Sequence, residues 1–162
     1  MRRSRLCIGA ALAAGALAVS GLALAPAATA VTPTNATADY DCGSFGGGDA
    51  NLVAVQSGSS ITISVSTSVV TPIPIGAGAA TTTLKLTRNG GPATVTFTGS
   101  SNPAMAAFSV YRSGPLTSAT AFAPGETLDS YFGGTALTLL IFGTTVSCDA
   151  VTSQAPGPFV VD

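Results

Sequence analysis

Few residues in this chain are equipped for acid–base or nucleophilic chemistry, because the sequence contains no histidine. That absence excludes Ser-His-Asp and Cys-His catalytic sites and removes the commonest zinc ligand. Glu126 and Asp129, which follow the turn Pro124-Gly125, are the one candidate pair of carboxylates for glycoside hydrolysis. The alternative is an ordinary polar turn. We favour the turn, since the chain has three tyrosines and no tryptophan to offer a sugar ring.

A threonine–lysine dyad is the other catalytic arrangement that the spacing suggests. Thr82 and Lys85 are three residues apart, but the surrounding alternation of apolar and polar residues predicts a strand. Residues three apart in a strand point to opposite faces, so we expect Lys85 to be a solvated surface residue. The sequence also lacks a G-x-S-x-G nucleophile elbow. We therefore predict a protein that is not an enzyme.

A group of oxygen-bearing side chains surrounds a glycine-rich stretch near the start of the mature chain. Asp39, Asp41, Asp49 and Asn51 flank Gly46-Gly47-Gly48. Carboxylate and amide oxygens on a pliable loop are the ligands that calcium prefers, although this spacing matches no calcium-binding loop. The alternative is a solvated loop, and we expect no cofactor. The glycines do not form a phosphate loop, because no Gly-Lys-Ser/Thr follows them.

The first thirty residues have the pattern of a secretory signal peptide. Three arginines lie within the first five positions, an uncharged apolar stretch runs from Leu6 to Ala25, and Ala28-Thr29-Ala30 fits the A-x-A cleavage pattern. We place the cut after Ala30, with a cut after Ala28 as the alternative. A retained membrane anchor is a second alternative, since about 20 apolar residues can span a bilayer. We expect cleavage, and with it a secreted or cell-surface protein.

The mature composition limits the partners. Removing 30 of the 162 residues leaves 132, which suits one domain. Three basic residues then remain against seven acidic ones, a net charge of −4. Three basic residues are too few to form a phosphate-binding surface. We therefore do not expect nucleic acid as a partner. The later apolar run 136–142 is too short to span a membrane.

Two cysteines remain after cleavage, and we expect them to form a disulfide. Cys42 and Cys148 lie near the two ends of the mature chain, and export to an oxidising compartment favours their pairing. A loop of about 100 residues closed in this way stabilises a fold by roughly 4–5 kcal/mol in the chain-entropy treatment. The alternative is two free thiols.

Short segments of alternating apolar and polar residues recur along the mature chain, with turns between them. The alternation is strict from Ser60 to Val69, and Asn89-Gly90 supplies the positive φ angles of a tight hairpin turn. We predict strands at 51–56, 60–69, 81–87, 93–98, 128–132, 136–142 and 144–148. These lead us to predict an all-β fold: a two-sheet antiparallel sandwich of seven to nine strands, immunoglobulin-like in the broad sense and closed by the disulfide.

Three segments are less regular. Residues 71–75 contain two prolines, which predicts an edge strand or a bulge. Asn102-Pro103 begins either a short helix or a strand through Phe108, Val110 and Tyr111. We predict a flexible leader at 31–38, the sandwich domain at 39–154 and a tail at 155–162 that is either loose or a short strand folded back.

The functional hypothesis concerns binding. The predicted exposed strand faces are rich in Ser and Thr and nearly uncharged, which suits contact with cell-wall polymers or another envelope protein, or is simply a surface of high β-propensity. We expect an exported non-enzymatic protein that acts by binding or as a structural component. The alternatives are a secreted small-molecule binder or enzyme inhibitor, and, last, a hydrolase using Glu126 and Asp129.

Two short segments at the ends of the predicted domain support a family resemblance. The opening Tyr40-Asp41-Cys42 and the closing Thr145-Val146-Ser147-Cys148 resemble uncharacterised secreted β-sandwich domains of actinobacteria. The similarity spans the mature chain in its layout. It implies an exported β-sandwich at the cell surface and carries no implication about catalysis.

Overall fold

The computed structural model describes residues 30–162, so the predicted signal peptide lies outside the described residues, except for Ala30. These residues form eleven strands and one turn of 3₁₀ helix at Gly43–Phe45. The strands are β1 (Asn35–Asp41), β2 (Gly47–Ser57), β3 (Ser60–Val70), β4 (Ala80–Arg88), β5 (Thr94–Gly99), β6 (Val110–Arg112), β7 (Leu116–Thr117), β8 (Thr127–Ser130), β9 (Thr135–Ile141), β10 (Thr144–Ala150) and β11 (Phe159–Val160).

Eight of the strands close into an antiparallel barrel. They hydrogen-bond in the order β4, β5, β7, β3, β2, β1, β10, β9, and β9 pairs with β4 to complete the ring. The prediction of a two-sheet, immunoglobulin-like sandwich is therefore wrong, and there are more strands than the seven to nine expected. Thr82 shows the reason: β4 pairs with β5 at Gly99 on one side and with β9 at Leu139 on the other, so no sheet edge remains there. Alternation identifies the buried face of a strand and does not show which strands are neighbours.

The other three strands thicken or complete the wall. Strand β6 lies beside the end of β3, β8 pairs with the last residues of β4, and β11 pairs with β8. Two pairs of strands consequently fill the part of the wall that lies between β4 and β1. Strands β9 and β10 lie towards one end of the barrel, and strands β8 and β11 lie towards the other.

The barrel interior is filled by side chains from every strand of the ring. Alternate residues point inward, as the predicted strands required: Leu84 and Leu86 are buried, and so are Val95 and Phe97 of the neighbouring strand. An eight-stranded barrel is just wide enough for its side chains to fill. The interior is accordingly a hydrophobic core, and the functional surfaces must lie on the outer wall or at the two ends.

The segments on either side of the predicted domain are both ordered. Val31 is fully buried and β1 begins at Asn35, so the predicted leader at 31–38 is part of the fold. The tail is the folded-back strand: Phe159 is buried in β11, and the backbone of Thr32 exchanges hydrogen bonds of 2.9 and 2.7 Å with Val160. Leader and tail lack a long periodic pattern because each contributes only a few inward residues.

The irregular segments form connecting loops. Residues 71–75 leave the barrel after β3, and Ile75 makes an isolated bridge to Met105. Asn102 itself begins neither a helix nor a strand, but Val110 and Tyr111 of the strand alternative do lie in β6. The buried Asn102 side chain accepts from the Ala80 N–H at 2.9 Å and donates to the Gly76 carbonyl at 2.9 Å, which fastens two loops together.

Candidate functional site

The two carboxylates proposed as an acid–base pair have separate structural partners. Glu126 accepts a hydrogen bond from the Arg88 guanidinium in an ion pair, and this contact lowers its pKa. Asp129 accepts from the backbone N–H groups of Ser130 at 2.7 Å and Gln154 at 3.0 Å. A general acid needs a raised pKa, which is the opposite of what Arg88 imposes on Glu126.

Thr82 and Lys85 point to opposite faces of β4, as the strand prediction required. The Thr82 hydroxyl is buried and lies 2.7 Å from the hydroxyl of Tyr111. The Lys85 ammonium lies on the outer wall, 4.9 Å from the centre of the Tyr131 ring. The two groups therefore cannot act as a dyad.

The candidate calcium ligands lie on the outer wall of β1 and β2. Asp39 and Asp49 are directly opposite each other, and the hydrogen bond from Asp49, with its charge, raises the pKa of Asp39. Asp41 accepts from the Gly43 N–H at 2.9 Å, and the Asn51 amide donates to Asn35 at 2.8 Å. Within residues 30–162, no three Asp, Glu, His or Cys side chains are grouped closely enough to hold a metal ion.

The predicted disulfide is confirmed. Cys42 follows β1 and Cys148 lies in β10, and their sulfur atoms are bonded across a sequence separation of 106 residues. Both side chains are buried in the core. The bond ties the end of β1 to β10, and Cys42 directly precedes the 3₁₀ turn that carries Phe45.

Sequence reasoning missed an apolar surface at one end of the barrel. Because β1 runs antiparallel to both β2 and β10, and β2 antiparallel to β3, the turn after β1, the turn before β10 and the end of β3 share that end. We define the apolar rim by its exposed members: Phe45, Val70, Ile73, Phe108, Val110 and Phe142.

Two of the phenylalanines in the rim occupy backbone positions that aromatic residues seldom adopt. Phe108 is 77% exposed at φ 61°, and Phe142 is 57% exposed at φ 51°. A left-handed conformation at a bulky residue carries a cost of about 1–3 kcal/mol. Such strain together with exposure marks these turns as candidates for function.

The sequence had assigned only one of the two to the core. Phe142 was expected at the end of a buried strand, whereas the segment with Phe108 was left open between a short helix and a strand that includes Tyr111. Tyr111 is indeed fully buried, whereas Phe142 begins the two-residue turn between β9 and β10. The glycine at position 143 was the available signal, since a residue before glycine in a short hairpin belongs to the turn.

A cleft opens between the loop that starts at Pro103 and strand β6. Its volume is about 280 Å³, and its lining includes Pro103, Met105, Val110 and Arg112. The loop from 105 to 110 is fastened on both sides. Met105 exchanges backbone hydrogen bonds of 2.8 and 2.9 Å with Ile75, and the Phe108 N–H donates to the Thr71 carbonyl at 2.7 Å.

Comparison with known proteins finds no matching family model, no matching curated protein and no matching solved structure. The resemblance to secreted actinobacterial domains therefore remains a prediction. Among residues 30–162, no helix is long and apolar enough to span a membrane. The chain is a small, disulfide-linked, all-β barrel, a class compatible with an extracellular location.

Proposed function

We propose that this protein is exported and acts without catalysis, by docking its apolar rim onto an apolar component of the cell envelope. The observation that carries the proposal is the exposure of three phenylalanines, Phe45, Phe108 and Phe142, on separate turns at the same end of the barrel. Several large apolar side chains exposed at one end of a soluble protein are a feature of contact surfaces.

The cost of holding these side chains outward supports the same conclusion. Phe108 and Phe142 lie in left-handed positions, where glycine or asparagine would be more stable, and their rings gain little from burial in the isolated protein. A partner that covers the rings would supply the missing apolar burial, at about 25 cal/mol per Å² of apolar surface.

The remaining residues support binding over catalysis. The sequence has no histidine, and Glu126 and Asp129 are both engaged in structural contacts. The acidic outer wall at Asp39 and Asp49 and the mature net charge of −4 are unfavourable for nucleic acid and for anionic surfaces.

A co-sedimentation experiment tests the proposal. Residues 31–162 contain every strand of the barrel and are spun with insoluble envelope material from the source organism, before and after extraction of that material with organic solvent. We expect saturable co-sedimentation that extraction reduces. The triple variant Phe45→Ser/Phe108→Asn/Phe142→Asn should lose at least nine-tenths of it, about 1.4 kcal/mol in binding.

Phe132→Ser is the matched control, because Phe132 is 56% exposed and lies outside the rim. It should bind as the wild type does. A wild-type protein that stays in the supernatant, or a triple variant that pellets as well as the wild type, would overturn the proposal.

A further inference from the structure

The cleft between the 103–109 loop and β6 combines an apolar lining with one cationic group. Pro103, Ala104, Met105, Ala106 and Val110 provide apolar surface, and Arg112 is the only charged residue of the lining. Ligand sites in proteins are commonly apolar clefts in which a few polar groups fix the orientation of the ligand. A volume of 280 Å³ suits a ligand smaller than a typical drug molecule.

Arg112 differs from the two other basic residues of the mature chain in its surroundings. Arg88 forms an ion pair with Glu126, and the Lys85 ammonium lies over the Tyr131 ring. Across the described part of the chain, the Arg112 guanidinium takes part in no ion pair and donates no hydrogen bond to another side chain. Its fork of donors is free to receive an anion.

The walls of the cleft are already fixed in place. The Arg112 backbone N–H donates to the Met105 sulfur at 3.2 Å, and both Met105 and Phe108 are hydrogen-bonded to the segment 71–75. Ser109 closes the turn by donating to the Ala106 carbonyl from its hydroxyl at 2.6 Å. A preorganised cleft avoids the entropy cost of ordering a loop when a ligand binds.

We propose that this cleft binds the carboxylate of a small apolar ligand. The carboxylate pairs with the Arg112 guanidinium, and the apolar part lies against Pro103, Met105 and Val110. This inference rests on the proposed function and names the chemical group that the apolar rim recognises.

A carboxylate fits better than a more highly charged anion. A guanidinium matches a carboxylate with two parallel hydrogen bonds, and one arginine balances one negative charge. A phosphate would bring about two negative charges, which a single guanidinium does not balance.

Two pairs of probe compounds distinguish a fatty acid from a peptide C-terminus as the source of the carboxylate. The first pair is octanoate and octanamide, and the second is a short peptide ending in Leu-Phe with a free carboxylate and the same peptide amidated. Binding to residues 31–162 is followed by the backbone amide resonances of 104–112. We expect each acid to bind at least tenfold more tightly than its amide, since the ionic hydrogen bonds are lost in the amide.

Arg112→Gln should weaken acid binding at least tenfold, and Lys85→Gln is the matched control that removes a positive charge elsewhere on the wall. Tighter binding of the peptide acid identifies a peptide terminus as the ligand, and tighter binding of octanoate identifies a fatty acid. No binding of either acid, equal affinity for acid and amide, or an unaffected Arg112→Gln variant would overturn the inference.

The two proposals can fail separately. Acid binding with no envelope co-sedimentation would overturn the proposed docking and leave the carboxylate site intact. Co-sedimentation that Arg112→Gln does not weaken, with no acid binding at 103–112, would leave the docking surface and overturn the site.

Discussion

Phe142 occupies in the β9–β10 turn the left-handed backbone position that Asn89 occupies in the turn after β4, with φ angles of 51° and 55°. Each is followed by a glycine with positive φ, Gly143 at 78° and Gly90 at 60°. Asn-Gly is the preferred pair for such turns, because asparagine tolerates positive φ and phenylalanine does not. The same chain therefore uses the favourable residue in one turn and an exposed aromatic in the other.

Replacing this aromatic should stabilise the protein. We expect Phe142→Asn to raise the free energy of unfolding by about 1 kcal/mol, because asparagine relieves the strain of the left-handed position. Urea denaturation measures the change. Phe132→Asn is the control, since it removes an exposed ring where the backbone is not left-handed. An equal gain in both variants would show that ring exposure, not backbone strain, is responsible.

Two buried tyrosines should respond oppositely to loss of the hydroxyl. The Tyr111 hydroxyl lies 2.7 Å from Thr82, whereas the Tyr40 hydroxyl is buried without a partner. Tyr111→Phe should cost about 1–3 kcal/mol, because it leaves the buried Thr82 hydroxyl unpaired. Tyr40→Phe should be neutral or stabilising by up to about 1 kcal/mol, because it removes an unpaired polar group.

Chemical denaturation of the two variants side by side checks this contrast. Burial, with a contribution from the charge of Asp129, raises the pKa of Tyr40, in keeping with a hydroxyl that lacks a favourable partner. If Tyr40→Phe proved as destabilising as Tyr111→Phe, the hydroxyl would have to be bonded in solution to a buried water.

The carboxylate pair on the outer wall predicts a pH dependence. The pKa of Asp39 is raised by its hydrogen bond with Asp49 and by the Asp49 charge, so the folded protein holds this proton more tightly than the unfolded chain. The stabilising contribution of the proton is present below the unfolded pKa of about 3.9 and is lost as pH rises through the folded value.

Asp49→Asn should therefore raise the melting temperature at pH 7 and leave it nearly unchanged at pH 3. Thermal denaturation at the two pH values measures the effect. The gain at pH 7 should shrink in about 1 M salt, where the Debye length is about 3 Å. A gain of the same size at both pH values would show that charge repulsion is not its cause.

Removing the disulfide should destabilise the barrel strongly. The double variant Cys42→Ser/Cys148→Ser releases a constraint between residues 106 apart, which we expect to lower the free energy of unfolding by about 2–5 kcal/mol. Urea denaturation gives the value, and reduced wild type is the matched comparison. A loss below about 1 kcal/mol in both would contradict a stabilising role for the bond.

The sequence by itself determined the local features of this protein. Strict alternation placed Leu84 and Leu86 inside and Lys85 outside, and Asn89-Gly90 specified a turn with positive φ. The two cysteines that remain after the predicted cleavage indicated the disulfide. Each of these depends on neighbours within a few residues or on the absence of other partners, and such information is present in the order of the amino acids.

Only the tertiary structure decided the closure of the barrel and the location of the apolar rim. Pairing of β4 with β9 joins residues far apart in the chain, and the inner face of a barrel has the same period of two as the inner faces of a sandwich. Phe108 and Phe142 lie in apolar segments that fit a core strand equally well. Their exposure follows from where the turns fall and what packs beside them, and local hydrophobicity does not encode either one.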